Sequence, residues 1–133
     1  MTVRKIEHVG VIVSSLEKSI PFYEKVLGLR HSETMTHTNG VIRLAFLSCP
    51  EYPETEVELI EGYDGPVTRE GRVHHIAFTV DDIELEYARI RSLDIAGLDE
   101  EITTLPNGSR YFFFEGPDGE AVELFQSTRG GSR

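Results

Sequence analysis

Four residues of this chain, His8, Glu58, His75 and Glu123, are of types that hold divalent metal ions and move protons. Two imidazoles and two carboxylates make a competent ligand set for Zn²⁺, Ni²⁺ or Co²⁺, and also for Mn²⁺ or Fe²⁺. With both histidines neutral, two glutamates balance the charge of one such ion. Buried carboxylates without a cation would be costly. A lone strand histidine is usually a hydrogen-bonded core or surface residue, and a lone strand glutamate is usually solvated. These four stand out because they recur at matched positions in a sequence that carries one pattern twice.

Lys5-Ile6-Glu7-His8-Val9-Gly10-Val11-Ile12-Val13 lies over Arg72-Val73-His74-His75-Ile76-Ala77-Phe78-Thr79-Val80 at an offset of 67, which carries His8 onto His75. The same offset carries Ser14-Ser15-Leu16-Glu17 onto Asp81-Asp82-Ile83-Glu84 and Arg43 to Leu47 onto Arg110 to Phe114. Val57-Glu58-Leu59 then falls on Val122-Glu123-Leu124 at an offset of 65. The slip lies in a loop, where length changes cost little. Four blocks in one order define an internal repeat.

Each half reads as a strand, a helix and three strands. In module 1, residues 5–61, strands are expected at 5–13, 29–36, 41–48 and 55–61. Leu16, Ile20, Tyr23, Val26 and Leu27 have helical spacing. Both serine- or aspartate-led tetrads are helix-start signals. Pro21 favours a first helical turn, so the regular helix is expected to begin near Ser19, after a separate turn at 15–18. Residues 62–71 form a linker. In module 2, residues 72–126, strands are expected at 72–80, 98–104, 109–115 and 120–126, with a helix at 82–93. Asn39-Gly40, Pro106-Asn107-Gly108 and Gly116-Pro117-Asp118-Gly119 are turn signals. Residues 127–133 form a frayed tail.

Strand alternation sorts the side chains. Val9, Val11 and Val13 face the helix, as do Ile76, Phe78 and Val80. Val57 and Leu59, and Val122 and Leu124, repeat this. His8, Glu58, His75 and Glu123 therefore take the other face. His74 has the opposite parity to His75 and is set aside. The fold class that follows is α+β: two paired βαβββ modules within one domain, 1–133; if they form a curved mixed sheet around a cleft, these four side chains point into it as a metal cleft.

Thirteen Lys and Arg against 23 Asp and Glu give a net charge of −10. Nucleic acid requires a basic footprint, so neither nucleic acid nor an anionic membrane is expected as a partner. No stretch has the length of a membrane span, and the amino-terminal residues lack the apolar run of a secretory signal. With one cysteine, Cys49, no intrachain disulfide forms, and a cytoplasmic protein is expected. Cys49 has no base beside it in sequence and reads as structural. Arg43 and Arg110 recur in the repeat and are candidates to bind a substrate carboxylate or phosphate. Phe112 to Phe114 would divide between core and pocket wall.

His8-Val9-Gly10-Val11, the Phe22-Tyr23 to Val26-Leu27-Gly28 helix, Val57-Glu58-Leu59, His75-Ile76-Ala77-Phe78 with Val80-Asp81-Asp82, and Gly116-Pro117-Asp118-Gly119 leading to Glu123-Leu124 together resemble the vicinal oxygen chelate superfamily. That superfamily covers glyoxalases, bleomycin resistance proteins and dioxygenases. The His, Glu, His, Glu set is similar to that of glyoxalase I. The resemblance implies a metal at His8, Glu58, His75 and Glu123. It implies proton abstraction next to a carbonyl, with an enediolate stabilised at the metal. Glu123 is then the base, with Glu58 the second candidate. It further implies a small-molecule substrate and a homodimer, whose modules pair within a chain or exchange between chains. The alternatives are an epimerase of methylmalonyl-CoA type and a resistance protein that sequesters a small molecule. Short glyoxalase I enzymes carry an Arg four residues after the first His and an Asn four residues after the first Glu. Here Ile12 and Gly62 stand there, leaving other thiol adducts and small α-hydroxy or α-keto acid derivatives open beside glutathione.

Overall fold

A computed structural model of the chain describes residues 5–65 and 73–128. The expected linker beyond Gly65, the start of module 2 at Arg72 and the tail beyond Thr128 lie outside these residues. The chain divides into two compact units, Met1–Val67 and Thr68–Arg133.

The first unit runs β1 (His8–Val13), α1 (Leu16–Lys25), β2 (Arg30–Thr36), β3 (Arg43–Cys49) and β4 (Tyr52–Glu61). Its sheet has the order β1-β4-β3-β2, with β1 parallel to β4 and the other pairs antiparallel. The second unit runs β5 (His75–Thr79), α2 (Ile83–Ser92), β6 (Thr103–Thr104), β7 (Arg110–Glu115) and β8 (Ala121–Gln126). Its sheet repeats the plan as β5-β8-β7-β6, again with one parallel pair, β5 and β8. Two mixed four-stranded sheets with one helix each make the fold α+β and show βαβββ twice.

The core of each unit follows from alternation. Val13, Ala45, Leu47, Val57 and Leu59 are buried in the first unit, together with Leu16 and Tyr23 of α1. Phe112, Phe114, Val122 and Leu124 are buried in the second, together with Ile83 and Ile90 of α2. Each Val, Leu, Ile or Phe among them contributes about 1.5–3 kcal/mol when removed from water.

α1 begins earlier than Pro21 suggested. Ser15 is its N-cap, accepting from the Lys18 N–H at 3.3 Å, and Pro21 lies inside the helix. The start is fixed from the sheet: the Glu61 carboxylate accepts the Leu16 N–H at 2.7 Å. This second acceptor, together with the Ser15 cap, outweighs the one helical hydrogen bond that proline cannot make. Gln126 does the same for Ile83 at 2.8 Å, with Asp82 as N-cap. At the other end, Gly28 takes φ 72° and Leu29 N–H returns to the Tyr23 carbonyl, closing α1.

Two strands also differ from expectation. β4 starts at Tyr52, because pairing resumes directly across a tight turn with Cys49 opposite Tyr52, and Cys49 closes β3. β6 is confined to two residues. The stretch before it reaches β7 by irregular bonds: Asp99 N–H to the Phe113 carbonyl, Phe113 N–H to the Asp99 carboxylate, and Glu115 N–H to the Ala96 carbonyl. Gly97 at φ 71° breaks any ladder there. The three turn signals hold: Gly40, Gly108 and Gly119 all take positive φ, with N–H groups returning to His37, Leu105 and Gly116.

Candidate metal-ligand pairs

In the first unit β1 and β4 run in parallel with Gly10 opposite Glu58, and β3 places Phe46 on the other side of Glu58. His8 lies two residues before Gly10, on the same face. Gly10 leaves room beside Glu58, whose Oε1 would be 3.6 Å from a Cβ built there. His8 Nε2 lies 3.4 Å from Glu58 Oε1. The edge of the Phe46 ring faces the His8 ring at a centroid distance of 6.4 Å.

The second unit rebuilds this arrangement with different neighbours. Ala77 stands opposite Glu123, and Phe113 flanks Glu123 on the other side. His75 Nε2 lies 3.1 Å from Glu123 Oε1, and Phe113 meets the His75 ring edge-on at 5.1 Å. Glu123 is only 6% exposed, the one buried carboxylate in the core of either unit among the described residues. Burial pushes its carboxyl above the ordinary value; His75 pulls it back, and Asp99 adds to the upward push.

The donor set fits a metal. Ligand bonds of about 2.0–2.2 Å place neighbouring donors of one ion about 3 to 3.5 Å apart. Both His–Glu separations lie in that range, with nitrogen and oxygen donors of intermediate hardness. Among the described residues no group of three or more His, Cys, Asp or Glu side chains is arranged to hold a metal ion.

His74, which parity set aside, and Glu7, which the sequence reading did not single out, both touch these pairs. Glu7 Oε1 lies 2.6 Å from His8 Nδ1, and His74 Nδ1 lies 3.0 Å from His75 Nδ1. The reason is that β1 begins at His8 and β5 at His75. Glu7 and His74 precede the strands and escape the alternation that would turn them to the opposite face. The signal was their matched position in the repeat. The hydrogen bond that Glu7 accepts from His8 raises the imidazole above its ordinary value, and His8 in turn lowers Glu7.

Arg43 and Arg110 are not brought to the His–Glu pairs. Arg43 shares strand parity with buried Ala45 and Leu47, and its Nη1 lies 3.4 Å from both Glu17 of α1 and Glu61. Arg110 Nη2 reaches Glu84 of α2 at 2.7 Å. Both arginines tie the helix side of a sheet to its helix, on the face opposite Glu58 and Glu123.

Sequence and structure converge on one family. A family model described as the Glyoxalase/Bleomycin resistance protein/Dioxygenase superfamily matches residues 5–124. The chain belongs to this superfamily. It is 54% identical over 123 residues to the uncharacterized protein YwbC of Bacillus subtilis (strain 168), covering 92% of this chain and 98% of that one. It is 32% identical to a lactoylglutathione lyase of Haemophilus influenzae, over 96% of this chain and 97% of the relative. Human mitochondrial methylmalonyl-CoA epimerase is 29% identical, over 92% of this chain and 74% of the epimerase. The trypanothione-dependent glyoxalase I of Leishmania major superposes with a TM-score of 0.74 at 28% identity, covering 93% and 87% of the two chains. No helix among the described residues is long and apolar enough to cross a membrane.

Proposed function

We propose that this protein is a metal-dependent isomerase or lyase of glyoxalase I type, acting on a small molecule with a proton next to a carbonyl. The observation that carries this reading is the duplicated contact: one His–Glu pair at ligand spacing in each unit, built from the same strand register. His8, Glu58, His75 and Glu123 would serve as ligands of a divalent ion, Zn²⁺, Ni²⁺ or Co²⁺ by their chemistry. When bound, the ion supplies Lewis-acid polarisation of the substrate oxygens and balances developing negative charge.

The chain's own residues supply the rest. Glu123 takes the proton from one carbon and returns it to the neighbouring carbon, the role of a positioned general base. Its burial keeps bulk water from competing for that proton. Glu58, with 14% of its side chain exposed, stays as the second carboxylate donor. The similarity to lactoylglutathione lyases supports the lyase chemistry.

The relationship to methylmalonyl-CoA epimerase supports a second reading, since epimerisation also moves a proton next to a carbonyl. The net charge of −10 disfavours the phosphates of an acyl-CoA. Both readings are separated by one experiment on metal-loaded protein. Hemithioacetals of several thiols and methylmalonyl-CoA are offered to the wild type and to Glu123→Gln. The lyase reading expects product from a hemithioacetal, lost in the variant. Epimerisation alone would transfer the assignment to the second reading, and metal-free protein that takes up no Zn²⁺, Ni²⁺ or Co²⁺ would remove both.

A further inference from the structure

We infer that Glu7 is the positioning residue of His8, fixing which imidazole nitrogen is offered toward Glu58. This rests on the metal-ligand reading of His8 given above, and adds to it a residue outside the ligand set. The geometry is specific to the two nitrogens. Glu7 Oε1 lies 2.6 Å from Nδ1, while Nε2, on the far side of the ring, points to Glu58 Oε1 at 3.4 Å. A carboxylate can only accept, so this contact requires the proton on Nδ1. The lone pair of the neutral ring is then on Nε2, the nitrogen that shares the face with Glu58. Metal-ligating histidines commonly use their second nitrogen in this way, and the partner fixes both tautomer and ring orientation.

The location of Glu7 explains how an adjacent residue can do this. Neighbours within a strand point to opposite faces. Glu7 stands just outside β1, which opens at His8, so its side chain is free to fold along the ring. Phe46 braces the same ring edge-on, which leaves rotation about the ring axis to be set by Glu7. The repeat places a partner at the same position in the second unit. His74 Nδ1 lies 3.0 Å from His75 Nδ1, an imidazole in place of a carboxylate. The two histidines are thus equipped differently, and His8 carries the stronger partner.

The test uses the full chain, first metal-free and then with Zn²⁺. Nitrogen-15 NMR of the imidazoles at alkaline pH reads the tautomer of His8 in wild type, Glu7→Ala and Glu7→Gln. The proposal expects the Nδ1–H form in wild type, a shift toward Nε2–H in Glu7→Ala, and retention in Glu7→Gln, whose amide oxygen still accepts. Competition with a chromophoric chelator should then give about 10–100-fold weaker Zn²⁺ binding for Glu7→Ala. Unchanged His8 tautomer in Glu7→Ala overturns the proposal, whatever the metal does. A tautomer that depends on Glu7 in a wild type that binds no Zn²⁺ supports the positioning and overturns the metal reading instead. Glu7 is 70% exposed at its side chain and outside the strand, so both variants keep the fold, which circular dichroism checks.

Discussion

Glu123 stands opposite Ala77 in parallel register, and from there its Oε1 reaches within 3.1 Å of His75 Nε2. Glu58 stands opposite Gly10 in the same way. The chain arrives at these positions by different path lengths, because the repeat offset falls from 67 at the histidines to 65 at the glutamates. The difference is absorbed in the turn before β4 or β8, and within β8 alternation puts Glu123 on the face opposite Val122 and Leu124. The hydrophobic register that buries Val122 and Leu124 therefore also aims Glu123.

Glu123→Gln tests the site. The amide keeps the shape but loses the negative charge and the ability to accept a proton. Metal content by inductively coupled plasma mass spectrometry should fall below that of wild type. Turnover of the true substrate should drop by about 10²–10⁴-fold, the usual contribution of a general base. Wild-type turnover in this variant would sink the assignment of Glu123 as base.

Arg110→Ala separates a structural arginine from a substrate-binding one. Its partner Glu84 has a side chain 66% exposed, so the pair is screened by solvent. Loss of stability in urea should stay below about 1 kcal/mol, and kcat/KM should be unchanged. A large rise in KM without a change in stability would return Arg110 to the substrate.

Cys49 gives a pH-dependent prediction. Burial raises its thiol above the ordinary value. The thiolate is the reactive form, so alkylation of native protein near pH 8 should be slower than alkylation of the urea-unfolded chain. The sign for stability follows. The unfolded chain loses this proton first as pH rises, so the contribution is intact below about pH 8.5 and is lost above it. Urea midpoints measured across this window should decline. Equal alkylation rates in the native and unfolded states would show that Cys49 is not shielded.

Much of this molecule is legible in its sequence because two periodicities agree. The repeat locates equivalent residues, and alternation assigns them to faces, so both His–Glu pairs follow from the order of residues. Three features do not. The start of α1 depends on Glu61, 45 residues beyond Leu16, and local propensity around Pro21 points elsewhere. The shortness of β6 depends on Asp99 bonding to Phe113 of β7. The roles of Glu7 and His74 depend on where β1 and β5 begin, and strand ends are the least certain feature of any sequence reading. In each case a long-range partner or a boundary decides, and neither is encoded in local pattern.

Gly62→Asn restores the residue that short glyoxalase I enzymes place four positions after the first glutamate, and the backbone opposes it. Gly62 takes φ 96°, a region disfavoured for residues with a Cβ. A Cβ there would lie 2.9 Å from the Val41 carbonyl oxygen, a backbone atom with little freedom to retreat. The substitution should cost about 1–3 kcal/mol in urea unfolding, the usual penalty for such strain. An asparagine side chain held in this conformation should not create glutathione affinity, so KM for a glutathione hemithioacetal should not improve. A stable variant with a lowered KM would show that position 62 is adaptable. It would also show that the glycine alone keeps glutathione adducts out.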